Sequence, residues 1–134
     1  MRVFLRNEKG KSRVDGVLKR HGYFNDAGPM WLGNLWDKNL CNNMYNASLK
    51  NEIFNKNKEL IKFLKIINDE SKISVIGFYD LHSICKKTNI KTMQKKEIVI
   101  NKIKKFEYKS SETHFSGHGI RSDITLNKLI KILK

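Results

Sequence analysis

The chain reads as an α+β protein, mainly helical in its C-terminal region and preceded by a short β-α-β arm. Three observations carry that reading. Residues 2–6 alternate polar and apolar side chains in strand fashion, Val14, Val17 and Leu18 then keep helical spacing, and Tyr23-Phe24 begins a second extended piece. Both tryptophans and the single proline fall within residues 28–37, which marks a junction built to hold one conformation. Over the last sixty or so residues a short helix, a turn, a lysine-rich helix and a β-hairpin follow one another, the order of a winged-helix-like module. The expected organisation is therefore an arm over 1–27 and a C-terminal domain over 28–134, with the winged-helix-like part at about 74–134.

Taken in order, the arm is strand 2–6, a polar turn over 7–11, a helix up to His21-Gly22, and an extended piece from Tyr23. Such an arm is too small to bury both its faces, so it should pair with a sheet supplied by something else. In the Gly28-Pro29-Met30-Trp31-Leu32-Gly33-Asn34-Leu35-Trp36-Asp37 segment, Pro29 restricts its neighbour and Gly33 permits a turn or a close backbone approach. Asp37 is a good N-cap for a helix carrying Leu40, Cys41, Met44 and Tyr45 on one face. A polar stretch over 46–51 separates it from the most strongly striped helix, with Ile53, Phe54, Leu60, Ile61, Leu64 and Ile67 inside, ended by 68–72. Asp80 can cap a short helix with Leu81, Ile84 and Cys85 inward. Residues 88–91 form a turn, and Thr92 can cap a second helix reaching Phe106, with Val99, Ile103 and Phe106 inside. Residues 107–115 look extended, 116–119 form a loop, 120–124 return as the partner strand, and a last helix packs Leu126, Leu129, Ile130 and Leu133.

Lysine and arginine outnumber aspartate and glutamate by 27 to 13, a formal charge of +14 on 134 residues. That excess suits a polyanionic partner such as nucleic acid. The abundance of Lys, Asn and Ile, residues specified by AT-rich codons, offers a compositional source for part of it. No run is long and apolar enough to suggest a membrane span or a secretory signal. Cys41 and Cys85 each fall on an apolar helix face, as free buried thiols of a reducing cytoplasm would.

Catalytic and metal-binding patterns are not found. His21, His82, His114 and His118 make no His-x-x-x-His pair, there is no Cys-x-x-Cys, and no Gly-x-Gly-x-x-Gly or Walker loop occurs. A cysteine nucleophile at Cys85 with His82 one turn before it competes with plain core packing, which the helical stripe already explains. Binding chemistry is better supplied. Lys95, Lys96, Lys102 and Lys105 can neutralise phosphates, and the hairpin brings Thr113, His114, Ser116, His118 and Arg121 to one place. Those groups suit phosphate, ribose 2′-OH and base contacts. The competing reading is a solvated lysine face beside an ordinary turn.

The 28–37 segment, followed by Phe78-Tyr79-Asp80-Leu81-His82 and by Thr113-His114-Phe115-Ser116-Gly117-His118-Gly119-Ile120-Arg121-Ser122-Asp123, resembles the C-terminal region of the tRNA guanine-26 N2-dimethyltransferase family. Arg2-Val3-Phe4-Leu5-Arg6 and Val14-Asp15-Gly16-Val17-Leu18 are similar to the last strands and helix of that family's methyltransferase domain. The resemblance runs along nearly the whole chain in the family's order. It implies that the arm completes a Rossmann-like methyltransferase sheet, and that the complete enzyme uses S-adenosylmethionine to methylate the exocyclic amine of a guanine between the D-arm and the anticodon arm. The family's glycine-rich cofactor loop and its Asp-Pro-Pro-Tyr-type motif match nothing here, so no catalytic or cofactor-binding residue is carried over. This chain alone is then expected to be inactive and not to bind the cofactor.

The resemblance further implies partners: tRNA, and a separate N-terminal methyltransferase subunit or domain on which Pro29, Trp31, Trp36 and Asp37 dock. The methionine placed at an internal strand of the family pattern suggests a split or truncated enzyme, and a decayed fragment is a further alternative. Many relatives insert a cysteine-bearing zinc element between the equivalents of Phe24 and Gly28, which are nearly adjacent here, so no metal is expected. Relatives also tend towards Ser-Pro where this chain has Ser116-Gly117. The alternative function is a stand-alone winged-helix nucleic-acid-binding protein. Either way, the expected compartment is the cytoplasm.

Overall fold

The computed structural model describes residues 9–134, so the strand expected over 2–6 lies outside the described residues. The fold is mixed α/β, with six helices and two small antiparallel sheets among those residues. Two compact units divide the chain after Gly33.

In the first unit, helix α1 (Lys11–Leu18) leads into strands β1 (His21–Phe24) and β2 (Ala27–Trp31), an antiparallel hairpin with His21 opposite Trp31. The second extended piece of the arm is thus present, but it turns back on Gly28-Pro29-Met30-Trp31. The sequence marks those four residues as a junction, whereas they form a strand. A two-stranded hairpin is all edge, which is where proline is tolerated. Gly28 has φ +152°, and a side chain there would meet the Gly22 carbonyl and the Tyr23 ring. Gly33 provides the close approach expected of it, because a Cβ would run into the Trp31 indole. None of the described residues of this unit is buried.

The second unit opens with α2 (Lys38–Lys50), capped as expected by Asp37, whose carboxylate accepts from Leu40 N–H at 3.0 Å. The helix runs through the polar 46–50 stretch, and α3 (Lys58–Ser71) starts later than its apolar stripe suggested. Two asparagines decide this. Asn51 Oδ1 accepts from the Ile53 and Phe54 N–H groups and holds a turn, and Asn57 Oδ1 caps α3 through Leu60 N–H. Ile53, expected inside, is therefore exposed. At the other end, 68–71 continue the helix instead of ending it, with Asn68, Glu70 and Ser71 buried.

Strand β3 (Tyr79–Asp80), helix α4 (Leu81–Lys87), helix α5 (Lys96–Lys105), strands β4 (Ser110–Glu112) and β5 (Gly119–Ser122) and helix α6 (Leu126–Leu133) complete the unit. The sheet order is β3-β5-β4, all antiparallel, with Tyr79 opposite Ile120 and Ser111 opposite Arg121. Both α4 and α5 end in the same device. Asn89 and Glu107 take positive φ, and the N–H of the next residue, Ile90 or Tyr108, returns to the Cys85 or Ile103 carbonyl. That left-handed residue at 107 keeps β4 shorter than the extended run expected from 107. Thr92 does not cap α5; Gln94 in the same stretch donates to the Ile132 and Leu133 carbonyls at the end of α6, and the helix begins only at Lys96.

The core gathers Leu81, Ile84 and Cys85 of α4, Val99, Ile100 and Ile103 of α5, Ile120 and Ile124, and Leu129 and Leu133 of α6. Burying each large aliphatic here stabilises the fold by roughly 1.5–3 kcal/mol. Phe106, expected in that core, is 65% exposed, because it sits at the C-cap of α5 where the chain turns away.

Candidate nucleic-acid interface and the carboxylate behind it

Glu70 organises the hairpin loop from within. Its side chain has no exposure, and it stands 2.9 Å from the Nε of Arg121, itself 2% exposed. Nε is close enough for an ion pair, but its N–H is not aimed along a hydrogen-bond line. The guanidinium is anchored at its other end by Nη1 donating to the Val75 carbonyl at 3.2 Å. Glu70 Oε1 also accepts from Thr113 Oγ1 at 2.7 Å, and Oε2 accepts from the His114 backbone N–H at 3.3 Å. His114 Nδ1 lies 2.7 Å from Oε2, so the proton on that ring belongs at Nδ1. A buried carboxylate surrounded this way holds both strands' ends and the loop between them on α3.

Thr113, His114 and Arg121 were expected to offer their polar groups to RNA. Thr113 and Arg121 are buried, with those groups turned to Glu70. His114 is half-buried, its ring 5.2 Å from Trp36 and 6.1 Å from Phe63, both edge-on. Ser116 and His118 stay at the loop surface, where Ser116 Oγ accepts from the His118 N–H. Beside them Phe115 stacks on Phe78 at 5.9 Å, and the His82 and His118 rings lie 6.1 Å apart, an exposed aromatic group with imidazoles alongside.

The lysines divide into two kinds. Lys96 is half-buried and paired with Glu112 at 2.7 Å, and Lys65 and Lys72 both reach Asp69. Burial would raise the Asp69 carboxyl, but hydrogen bonds from those two ammonium groups hold it below its ordinary value. Lys95, Lys102 and Lys105 are exposed, and Lys102 donates to the neutral amide oxygen of Gln94 at 2.8 Å. The four docking candidates are split between the units. In the first, Pro29 is exposed on β2, and Trp31 lies edge-on to His21 with the Arg20 guanidinium 5.8 Å from its ring. In the second, Trp36 packs on His114 with its Nε1 buried and unpartnered, and Asp37 caps α2.

The sequence did not single out Glu70 or Phe63, and it marked Phe78 only within a family motif. The arginine inside a strand was the available signal, since a buried guanidinium requires an acid. Which of thirteen acids supplied it could not be read from spacing. Among the described residues no group of three or more His, Cys, Asp or Glu side chains is placed to hold a metal, and no helix is long and apolar enough to cross a membrane. Nor do they include a glycine-rich strand-to-helix turn of the kind that cradles a nucleotide-like cofactor. The one strand running straight into a helix, β3 into α4, does so through Asp80 with no glycine turn.

The model of the N2,N2-dimethylguanosine tRNA methyltransferase family matches residues 19–134. The chain belongs to that family. A tRNA (guanine(26)-N(2))-dimethyltransferase of Methanocaldococcus jannaschii is 31% identical over 99% of this chain, and a tRNA (guanine(26)-N(2)/guanine(27)-N(2))-dimethyltransferase of Aquifex aeolicus is 26% identical over 97%. The chain spans 39% of the length of each of these relatives. The solved structure of Trm1 from Pyrococcus horikoshii with S-adenosyl-L-methionine is similar with a TM-score of 0.69 at 31% identity, covering 80% of this chain and 28% of that one. The family expected from the tryptophan-bearing segment and the hairpin is thus the one to which the chain belongs. S-Adenosylmethionine is accordingly part of the family's chemistry, yet the described residues do not fit it, and no methyl-transfer step is assigned to them.

Proposed function

We propose that this chain is the tRNA-holding and docking portion of a tRNA guanine-26 N2-dimethyltransferase, working with a methyltransferase domain that carries the cofactor and the reacting groups. The observation that carries the reading is the match to dimethyltransferases along 99% of this chain but only 39% of their length. The role is orientation. Holding the tRNA turns an encounter into a positioned reaction, a contribution of proximity rather than bond-making.

Within that role, residues 74–134 are read as the winged-helix-like module, supported by the helix-turn-helix-hairpin order and by β3 lying beside β5. Lys95, Lys102, Lys105, Ser116 and His118 are the residues assigned to RNA. Lys96, Thr113, His114 and Arg121 are assigned to holding the loop that presents them. Pro29, Trp31 and Trp36 are assigned to docking on the methyltransferase domain, with Asp37 fixing the start of α2 beside Trp36.

A chimera tests this. The M. jannaschii relative is given this chain in place of its matching 39%, and methyl transfer from labelled S-adenosylmethionine to an unmodified tRNA transcript is measured. We expect transfer well above that of the relative with the segment deleted. A chimera no better than the deletion, though folded, would overturn the assignment.

A further inference from the structure

Two grooves of the second unit are rimmed by lysines, and their charge balance differs. The groove between α3 and α5, about 330 Å³, sets Lys62, Lys65 and Lys104 against Asp69, Glu97 and Glu112, so its charges cancel. The cleft between the C-terminal end of α5 and α6, about 760 Å³, is lined by Lys102, Lys128, Lys131 and Lys134 together with Phe106 and Tyr108, and among the described residues by no acidic side chain. Lys128 and Lys131 are three apart on α6, hence on one side of the helix. Two of the ammonium groups are also positioned by neutral partners. Lys102 donates to Gln94 Oε1, and Lys128 donates to the Tyr108 hydroxyl with its Nζ 5.0 Å from the ring centroid. These contacts fix the side chains without cancelling their charge.

Phe106 gives the cleft its character. A phenylalanine 65% exposed among ammonium groups contributes little to the core. The left-handed turn at Glu107 places it there, ending α5 and sending Tyr108 back to the core. A flat apolar face ringed by uncompensated positive charge is complementary to a base with its flanking phosphates. A base held in a duplex has no free face to offer, which selects an unpaired one.

We propose that this cleft binds a single-stranded segment of RNA, with one unpaired base stacked on Phe106 and the adjoining phosphates on Lys102, Lys128, Lys131 and Lys134. The proposal rests on the tRNA-holding role and gives it a further contact, which shares Lys102 with the residues assigned above. In that setting the segment is an unpaired stretch of the tRNA.

Fluorescence anisotropy on the full chain tests it with three probes: an unmodified tRNA transcript, a purine-containing single-stranded oligoribonucleotide of about ten nucleotides, and a duplex of equal length. Phe106→Leu should weaken the single strand by roughly 5- to 150-fold, the effect of one lost aromatic stack. Phe106→Trp should retain the affinity. Lys128→Ala and Lys131→Ala should each lower the salt slope for the single strand by about 0.7. The side chains changed are exposed, and unchanged thermal unfolding checks that each variant folds. The assignment is overturned if Phe106→Leu binds as the parent does, if the duplex binds as well as the single strand, or if polyglutamate competes equally. Transcript binding that ignores Phe106 defeats the cleft alone, whereas a chain that binds no transcript defeats the tRNA-holding role too.

Discussion

A carboxylate with no exposure, as at Glu70, persists in a folded chain only when cationic and N–H groups surround it. Arg121, Thr113 and His114 supply them from the hairpin, forty-three or more residues away along the chain. Removing Glu70 alone strands the Arg121 charge in the interior. Glu70→Ala should therefore cost about 3–5 kcal/mol in urea denaturation. Replacing both partners with apolar residues of similar size, Glu70→Leu with Arg121→Met, should recover much of that loss. A double variant as unstable as the sum of its single changes would show that the pair is not the source of the cost. The hairpin's polar residues were legible as a group in the sequence, but their direction was not. Thr113 and Arg121 look alike on paper whether they face RNA or a buried acid, and only the three-dimensional approach of α3 decides.

Helix starts were legible where a local side chain caps them. Asp37 and Asp80 cap α2 and α4 as their position before an apolar stripe predicts, because a cap acts within three residues and needs no distant partner. The end of α3 and the start of α5 were misjudged, since Glu70 is held by the hairpin and Gln94 by the end of α6. Asp80 offers a test at this scale. The Ser83 backbone N–H is the leading cause that holds its carboxyl below the ordinary value, helped by the Ser83 hydroxyl and the His82 N–H. A carboxyl depressed by folding contributes stability that is full above its unfolded value, about 3.9, and is lost as pH falls through the lower folded value. Asp80→Ala should thus cost about 1 kcal/mol at neutral pH. The gap between variant and parent should narrow towards pH 3 in urea denaturation, and a gap of constant size would remove the carboxylate's charge from the account.

At the scale of the whole molecule, the two units are unequally furnished. The second has an interior of fully buried Val99, Ile103, Ile120 and Leu129, whereas no described residue up to Gly33 is buried. That the arm would leave its faces uncovered was legible in sequence, because a helix and two short strands cannot cover one another's faces. That Gly28–Trp31 would form the second strand of a hairpin was not, because proline argues against strand until the strand is known to be an edge. A two-stranded ribbon without a covered face is marginally stable. Backbone amides of residues 21–31 in the isolated chain should then exchange with deuterium through local opening, long before the amides of Ile103 or Ile120, which wait for global unfolding. Adding the methyltransferase domain of the M. jannaschii relative should slow exchange in the arm and leave those core amides unchanged. If the arm of the isolated chain exchanged as slowly as Ile103, it would be stable without a partner sheet, and the docking role proposed for it would lose its physical basis.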